Sequence, residues 1–320
     1  MKALSIIFAS VFFASLLGFI ITVSVTGANF QDFSMLGFSN IQTDEPYDVE
    51  KSFNETYRNI EIDALAARVT VTLSPDDTTR VNYRNTHSRV ELIAEVNNDT
   101  LIIKERITAY VSWGWNWNWG WGWNWNRGWN WSLNNQAVLD IELPANSYDR
   151  IAFDLTSGQI NAELPETRDL IVEVTSGNVT LNYNHDEQGG HLRSRTTSGS
   201  VNITGFTPRT YDIHSTSGNQ NISDLAGTGS IRATSGSISA DFAGWDGSLD
   251  VNITSGTVNV TAPAGSGAEL NLSRTSGAFN YNMDGDSGSM NRSGSAKIGG
   301  DNKQNVRVSI TSGNASLRTR

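Results

Sequence analysis

Residues Ile151–Leu164 read IAFDLTSGQINAEL: an alternating run, a Thr-Ser-Gly triplet, and a second alternating run. Apolar side chains at every second place on both sides of a short turn mean two β-strands, each burying one face. The triplet recurs at Thr156, Thr175, Thr197, Thr216, Thr234, Thr254, Thr275 and Thr311. Its spacing is 18 to 22 residues, with one double-length gap before the last copy. A fixed period of this size is the mark of a solenoid. The chain therefore reads as an all-β protein: a parallel β-helix, or β-solenoid, with Thr-Ser-Gly coils of about 20 residues.

Aligned on their serines, the copies share apolar columns four and two places before the serine, such as Phe153 and Leu155 or Val251 and Ile253. Three and five places after it lie pairs such as Ile160 and Ala162 or Val258 and Val260. The triplets must then be corners, formed by Ser157 and Gly158, Ser176 and Gly177, Ser198 and Gly199, Ser217 and Gly218, Ser235 and Gly236, Ser255 and Gly256, Ser276 and Gly277, and Ser312 and Gly313. Glycine is expected there because it admits the positive φ that a sharp bend often needs. Stacking would align the threonines in one ladder and Asn161, Thr180, Asn202, Asn221, Ser239, Asn259, Asn280 and Ser316 in another. Ser194, Thr196, Ser215, Gln220 and Arg274 fall in inward columns, which implies either locally wide coils or a register shift.

Composition narrows the function classes. Formal charge is −10 over 320 residues, with no basic stripe, which argues against a nucleic-acid partner. There is no cysteine, so disulfides, thiolate metal sites and cysteine nucleophiles are excluded together. From Ala3 to Val25 no residue is charged, a run long enough to cross a bilayer. Residues 1–28 thus read as an uncleaved transmembrane signal anchor, with a signal peptide cleaved near Gly27 or Ala28 as the alternative. Lys2 precedes the run, and Asp32, Asp44 and Glu45 follow it. The positive-inside rule then predicts a single-pass cell-membrane protein with its amino terminus in the cytosol and its β-domain outside. Residues 29–50 read as a flexible tether and 51–112 as irregular N-terminal β coils or a cap. Residues 113–131 are a Trp-rich insertion, and 132–320 are the solenoid repeats.

The segment Arg58–Tyr83, RNIEIDALAARVTVTLSPDDTTRVNY, followed by NDTLIIKER, AVLDIELPANSYDRIAFDLTSGQINAEL and the later triplets, resembles a bacterial family of unknown function with β-strand repeats. Its members are grouped as candidate adhesins, and the LiaG-like ones belong to envelope-stress regulons. The resemblance spans about residues 45–320. It implies a membrane-anchored, envelope-facing solenoid with no established catalytic residues, so it transfers no site. The Trp-rich insertion departs from the family pattern.

That insertion holds Trp113, Trp115, Trp117, Trp119, Trp121, Trp123, Trp125, Trp129 and Trp131, all at odd positions, with Asn and Gly filling most even ones. In an extended strand every indole shares one face, and a hairpin with an odd loop keeps that arrangement. Such a ribbon suits the lipid headgroup layer, where the ring is buried and the indole N–H stays wet. Stacking on cell-wall glycans, docking of an envelope protein, or display without a partner are the alternatives. Trp245 reads as an isolated loop aromatic.

Candidate chemistry is sparse. Asp154, Glu173, Arg195, His214 and Arg232 share one outward column, where Asp154 and Glu173 could form an acid/base pair or simply a solvated charge ladder offset by Arg195. His185, Asp186, Glu187 and His191 could hold zinc, yet their spacing matches no closed site. No catalytic, cofactor or metal residue is therefore assigned. The favoured function is a non-enzymatic, adhesin-like or envelope-stress-associated binding scaffold; the alternatives are a β-helix polysaccharide-active enzyme or a cell-wall glycan-binding module. End-to-end self-assembly is disfavoured by Arg318 and Arg320, expected at an open terminal coil.

Overall fold

The computed structural model describes residues 47–85, 90–107, 137–185 and 188–320. They form two long sheets and no helix. The expected membrane anchor and the tryptophan ribbon lie outside the described residues, and no described helix is long and apolar enough to cross a membrane.

Each rung of the solenoid is one strand in each sheet, joined at a corner. Ten rungs stack in parallel. The second sheet runs Thr100–Ile107, Asn59–Ala64, Tyr148–Leu155, Thr167–Val174, Gly189–Thr196, Pro208–Ser215, Thr228–Ala233, Ser248–Ile253, Asn302–Ile310 and Ser266–Arg274 in spatial order. The first sheet runs Val138–Leu143, Arg68–Leu73, Gln159–Leu164, Asn178–Tyr183, Ser200–Thr204, Asn219–Leu225, Ser237–Phe242, Thr257–Ala262, Asn314–Thr319 and Ala278–Met283. At about 4.8 Å per rung the stack is roughly 45 Å long.

Alternation puts the apolar columns inside. Ile60, Ile151, Leu170, Leu192, Ile213 and Ile231 are all fully buried. Two features of the order depart from a simple chain-order stack. Asn59–Leu73, expected to be an irregular cap, is a regular rung in register with Ile151 and Ile160, and its corner is Leu65-Ala66-Ala67. The last triplet lies one rung inside the end, because Asn302–Thr319 slots between the Thr254 and Thr275 rungs. Arg318 and Arg320 are thus not on an open end: they reach Thr261 and Asp241 on earlier rungs.

The backbone ladder continues through the corners. Thr175 N–H donates to the Leu155 carbonyl at 2.8 Å, Ser176 N–H to that of Thr156 at 2.9 Å, and Asn178 N–H to that of Gly158 at 3.1 Å. The threonine and serine side chains face solvent while most of the corner glycines are buried. Only Gly277 has positive φ, at 87°, so the expectation that these corners need left-handed backbone fails for the other seven. Space decides instead. A Cβ on Gly199 would sit 2.1 Å from the Gly177 carbonyl oxygen, and one on Gly236 would sit 2.3 Å from that of Gly218 and 2.1 Å from Ser215 Oγ. Each corner presses on the next closely enough that only a hydrogen fits between them.

The polar residues in inward columns do not shift the register. Val172, Ser194 and Ile213 remain paired partners. Ser194 Oγ donates to Gln220 Oε1 at 2.7 Å, Gln220 Nε2 donates to the His214 carbonyl at 2.7 Å, and Ser215 Oγ donates to the Gly218 carbonyl at 2.6 Å. A short buried network thus replaces apolar packing in these rungs. Arg274 extends to the Met290 carbonyl. Trp245 corrects another expectation: it is 4% exposed, stands edge-on to Phe242 at 5.2 Å, and donates its indole N–H to the Gly267 carbonyl at 2.7 Å. It is part of the core.

Gly236→Ala should lower the unfolding free energy in urea by about 1–3 kcal/mol through overpacking. Ser235→Ala, one place earlier but exposed, should stay within about 0.5 kcal/mol of the parent. Equal midpoints for the two variants would contradict the stacked-glycine corner.

Candidate interaction surface

One end of the stack is formed by the strands around Tyr47. Beyond the first rung the sheets are capped by antiparallel strands, Thr79–Asn85 and then Tyr47–Phe53 on one side and Val90–Asn97 on the other. Antiparallel caps stop the parallel pattern, and Lys51 reaches across the open end to donate to the Ala94 carbonyl at 2.8 Å. A lysine aimed inward at an edge discourages further strand pairing. The strand Tyr47–Phe53, Ile107 and Ala137 all lie at this end.

Ile107 ends one strand of the first rung and Val138 begins the other. The insertion thus occupies the place that Thr-Ser-Gly fills elsewhere. At the later corners the equivalent N–H groups reach carbonyls of the preceding corner. One side-chain oxygen replaces them: Glu105 Oε2 accepts from the N–H groups of Leu65, Ala66 and Ala67 at 2.8, 3.0 and 3.2 Å. Its other oxygen accepts from the Tyr83 hydroxyl at 2.8 Å, and Asn85 in turn donates to Tyr83 at 3.0 Å. Three successive N–H groups around one carboxylate form an anion nest. Burial, and then the charge of Glu105, push the Tyr83 phenol well above its ordinary range. The Ala67–Arg68 end of the ladder resumes at Ala137, whose carbonyl accepts from Arg68 N–H at 2.7 Å. Sequence reading missed Glu105, although the alternation Leu101, Ile103, Glu105 was visible and puts a charge in an inward column.

The residues expected to carry chemistry are placed as follows. Asp154 pairs in register with Asp63 on one side and Glu173 on the other. Crowding by surrounding atoms, then the charges of Asp63 and Glu173, push the Asp154 carboxyl up to about 6, with Lys104 opposing. Glu173 is offset by Arg193 at 3.0 Å rather than by Arg195, which binds Asp212 at 3.2 Å. Diagonal neighbours two places apart along the strand are within reach of long arginine side chains, which the column reading overlooked. These groups lie on the outer strand face. His185 donates from Nε2 to the Leu164 carbonyl at 3.0 Å and packs on Tyr183 at 4.8 Å, while His191 Nδ1 lies 2.9 Å from Thr210 Oγ1. Each imidazole thus has a separate structural partner; Asp186 and Glu187 lie outside the described residues.

The two outer faces differ in chemistry. The second sheet carries the ion pairs Lys104–Asp63, Arg193–Glu173, Arg195–Asp212 and Arg307–Asp250. On the first sheet, from the Gln159 strand to the Ala278 strand, the two outward columns nearest the corners hold only Asn, Gln, Ser, Thr and one alanine. Two ladder bonds join them, Asn221 Nδ2 to Asn202 Oδ1 at 3.0 Å and Ser316 Oγ to Asn259 Oδ1 at 2.6 Å.

Removing the nest carboxylate should be severe. Glu105→Ala leaves three corner N–H groups and a buried phenol short of an acceptor, each worth about 1–3 kcal/mol; a total loss of several kcal/mol is expected in urea unfolding. Glu105→Gln keeps one acceptor oxygen and should recover part of it. If Glu105→Ala unfolds at the parental midpoint, the nest contributes nothing.

No curated protein matches the chain. Among solved structures, one named "putative lipid binding protein" from Parabacteroides distasonis is 13% identical, covering 86% of this chain and 97% of its own, with a TM-score of 0.44. A "putative adhesin" from the same organism is 12% identical over 85% and 97%, at 0.43, and one from Bacteroides fragilis is 13% identical over 86% and 97%, at 0.39. These likenesses are too distant to bear on binding. The Toastrack DUF4097 family model matches residues 57–318, which reach into all ten rungs. The chain belongs to the Toastrack DUF4097 family.

Proposed function

We propose that this protein is a non-enzymatic, adhesin-like binding scaffold of the cell envelope, tethered to the membrane by residues 1–28 with its solenoid on the outer side, and that its tryptophan ribbon meets the lipid interface. One observation carries the reading. The strand that continues from the tether, Tyr47–Phe53, and the corner from which the ribbon departs, Ile107 to Ala137, lie at the same end of the stack. Tyr47–Phe53 is two strand positions beyond Val138–Leu143, about 10 Å along the axis. A rod held by this end brings the base of the ribbon to the bilayer and points the other rungs away from it. Indoles alternating with Asn and Gly then have an interface suited to both faces.

Catalysis has little support in the geometry. Asp154 and Glu173 sit on an open strand face, and Glu173 is already paired with Arg193. Long regular faces suit recognition. Association with envelope stress rests on the resemblance of the sequence to LiaG-like proteins.

Protease added to intact, wall-stripped cells should digest the β-domain and leave a small membrane-bound stub; protection until lysis would reject the tethered arrangement. Anionic phospholipid vesicles added to the chain should blue-shift tryptophan emission and shield it from an aqueous quencher. Trp245, already buried, supplies a constant background of one indole among ten. Emission that is wholly blue and quencher-resistant before lipid is added would overturn the ribbon's role.

A further inference from the structure

We infer that the two corner-side columns on the outer face of the first sheet are a binding surface for an extended, uncharged polysaccharide, laid along the stack. The inference deepens the scaffold reading above by naming the partner, and it rests on described residues alone. Over eight rungs, a length of about 35 Å, the two columns that include Asn161, Asn202, Asn221, Asn259 and Asn280 carry no charge. The same rungs on the opposite face are laced with ion pairs. Charge is thus kept out of these two columns in a chain that is 18% charged residues overall; on the same sheet it begins only in the third outward column, at Glu163, Asp241 and Arg318.

The chemistry of the neutral face selects its partner by elimination. A polyanion needs a basic stripe, which this face lacks. Lipid needs an apolar surface, and the columns are amides and hydroxyls. A protein interface is anchored by aromatic residues and arginine, and these columns have neither. Amides and hydroxyls each offer donors and acceptors, as do the hydroxyl and acetamido groups of a glycan. With two ladder bonds among sixteen positions, most of these groups are not spent on each other. Parallel, in-register rungs repeat them every 4.8 Å or so, close to the length of one sugar in an extended chain. The exposed threonine and serine side chains of the corners run along the same edge and widen the surface.

The chain has no cysteine, so one introduced thiol reports one place. Ser239→Cys lies on the neutral face and Ser309→Cys on the charged face, both outward and part-exposed. With the full chain in nanodiscs, soluble N-acetylglucosamine oligomers should slow alkylation of Ser239→Cys severalfold and leave Ser309→Cys unchanged. Retention on chitin should fall at least about tenfold, some 1.4 kcal/mol, in the triple variant Asn161→Ala, Asn202→Ala, Asn259→Ala, and stay level in Arg150→Ala, Arg195→Ala, Arg307→Ala. Protection of both thiols or neither, or retention lost only when the ribbon tryptophans are replaced, would overturn the assignment. None of these readouts depends on membrane topology, so failure here leaves the tethered arrangement standing, and protease protection in cells would leave this result standing.

Discussion

Everything in this molecule depends on corners that touch. A parallel two-sheet stack can keep its backbone hydrogen bonds continuous only if each turn repeats the path of the turn before it. Here the repeat is so close that the carbonyl of one corner glycine lies 2.0 to 2.7 Å from where the next glycine's Cβ would be, as at Gly199 and Gly177. Glycine is selected by distance and not by backbone angle, since Gly199, Gly218 and Gly236 all have ordinary φ. The serine and threonine beside each glycine are left outside and free to vary in what they contact.

The same constraint explains the N-terminal end. The sequence places 29 residues between Ile107 and Ala137, where the later rungs have a Thr-Ser-Gly triplet, and the neighbouring Leu65-Ala66-Ala67 corner takes its acceptor from a side chain. Glu105 supplies it from the strand below, with Tyr83 and Asn85 completing its hydrogen bonds. A buried carboxylate is normally destabilising, and three N–H groups plus a phenol are what make this one tolerable. One side chain thus does at this corner what backbone carbonyls do at the later ones. The rung of Ile107 and Val138 lies two strand positions from Tyr47–Phe53, the first described strand.

Much of this was legible in the sequence, because a period of two around a fixed triplet leaves few alternatives. The triplets, the inward columns and the all-β solenoid follow from local pattern. What escaped depends on contacts far apart in the chain. The slotting of Asn302–Thr319 between earlier rungs has no local signature; the double-length gap was its only trace. Trp245 does lie in a loop, after Ser237–Phe242, but it is not isolated: its packing on Phe242 and its bond to the Gly267 carbonyl leave no trace in local pattern. Ser194 and Gln220 looked like errors of register because their bond spans 26 positions. Glu105 was readable as a charge in an apolar column, yet its role depends on the N–H groups of Leu65, Ala66 and Ala67, some 40 positions away in the chain. The tryptophan pattern gave the ribbon's chemistry, and the structure added the end of the stack from which it departs.

The most direct measurement is hydrogen exchange at the corner amides. The N–H groups of Ser176, Ser198, Ser217 and Ser235 each donate to the preceding corner at 2.7 to 2.9 Å, although their side chains face water. If the ladder through the corners holds the stack together, these amides should exchange as slowly as those of Val172 and Ile231 in the strand core, near the global unfolding limit. Exchange as fast as that of the exposed Asp77 turn would mean the corners are loose joints and would contradict the account.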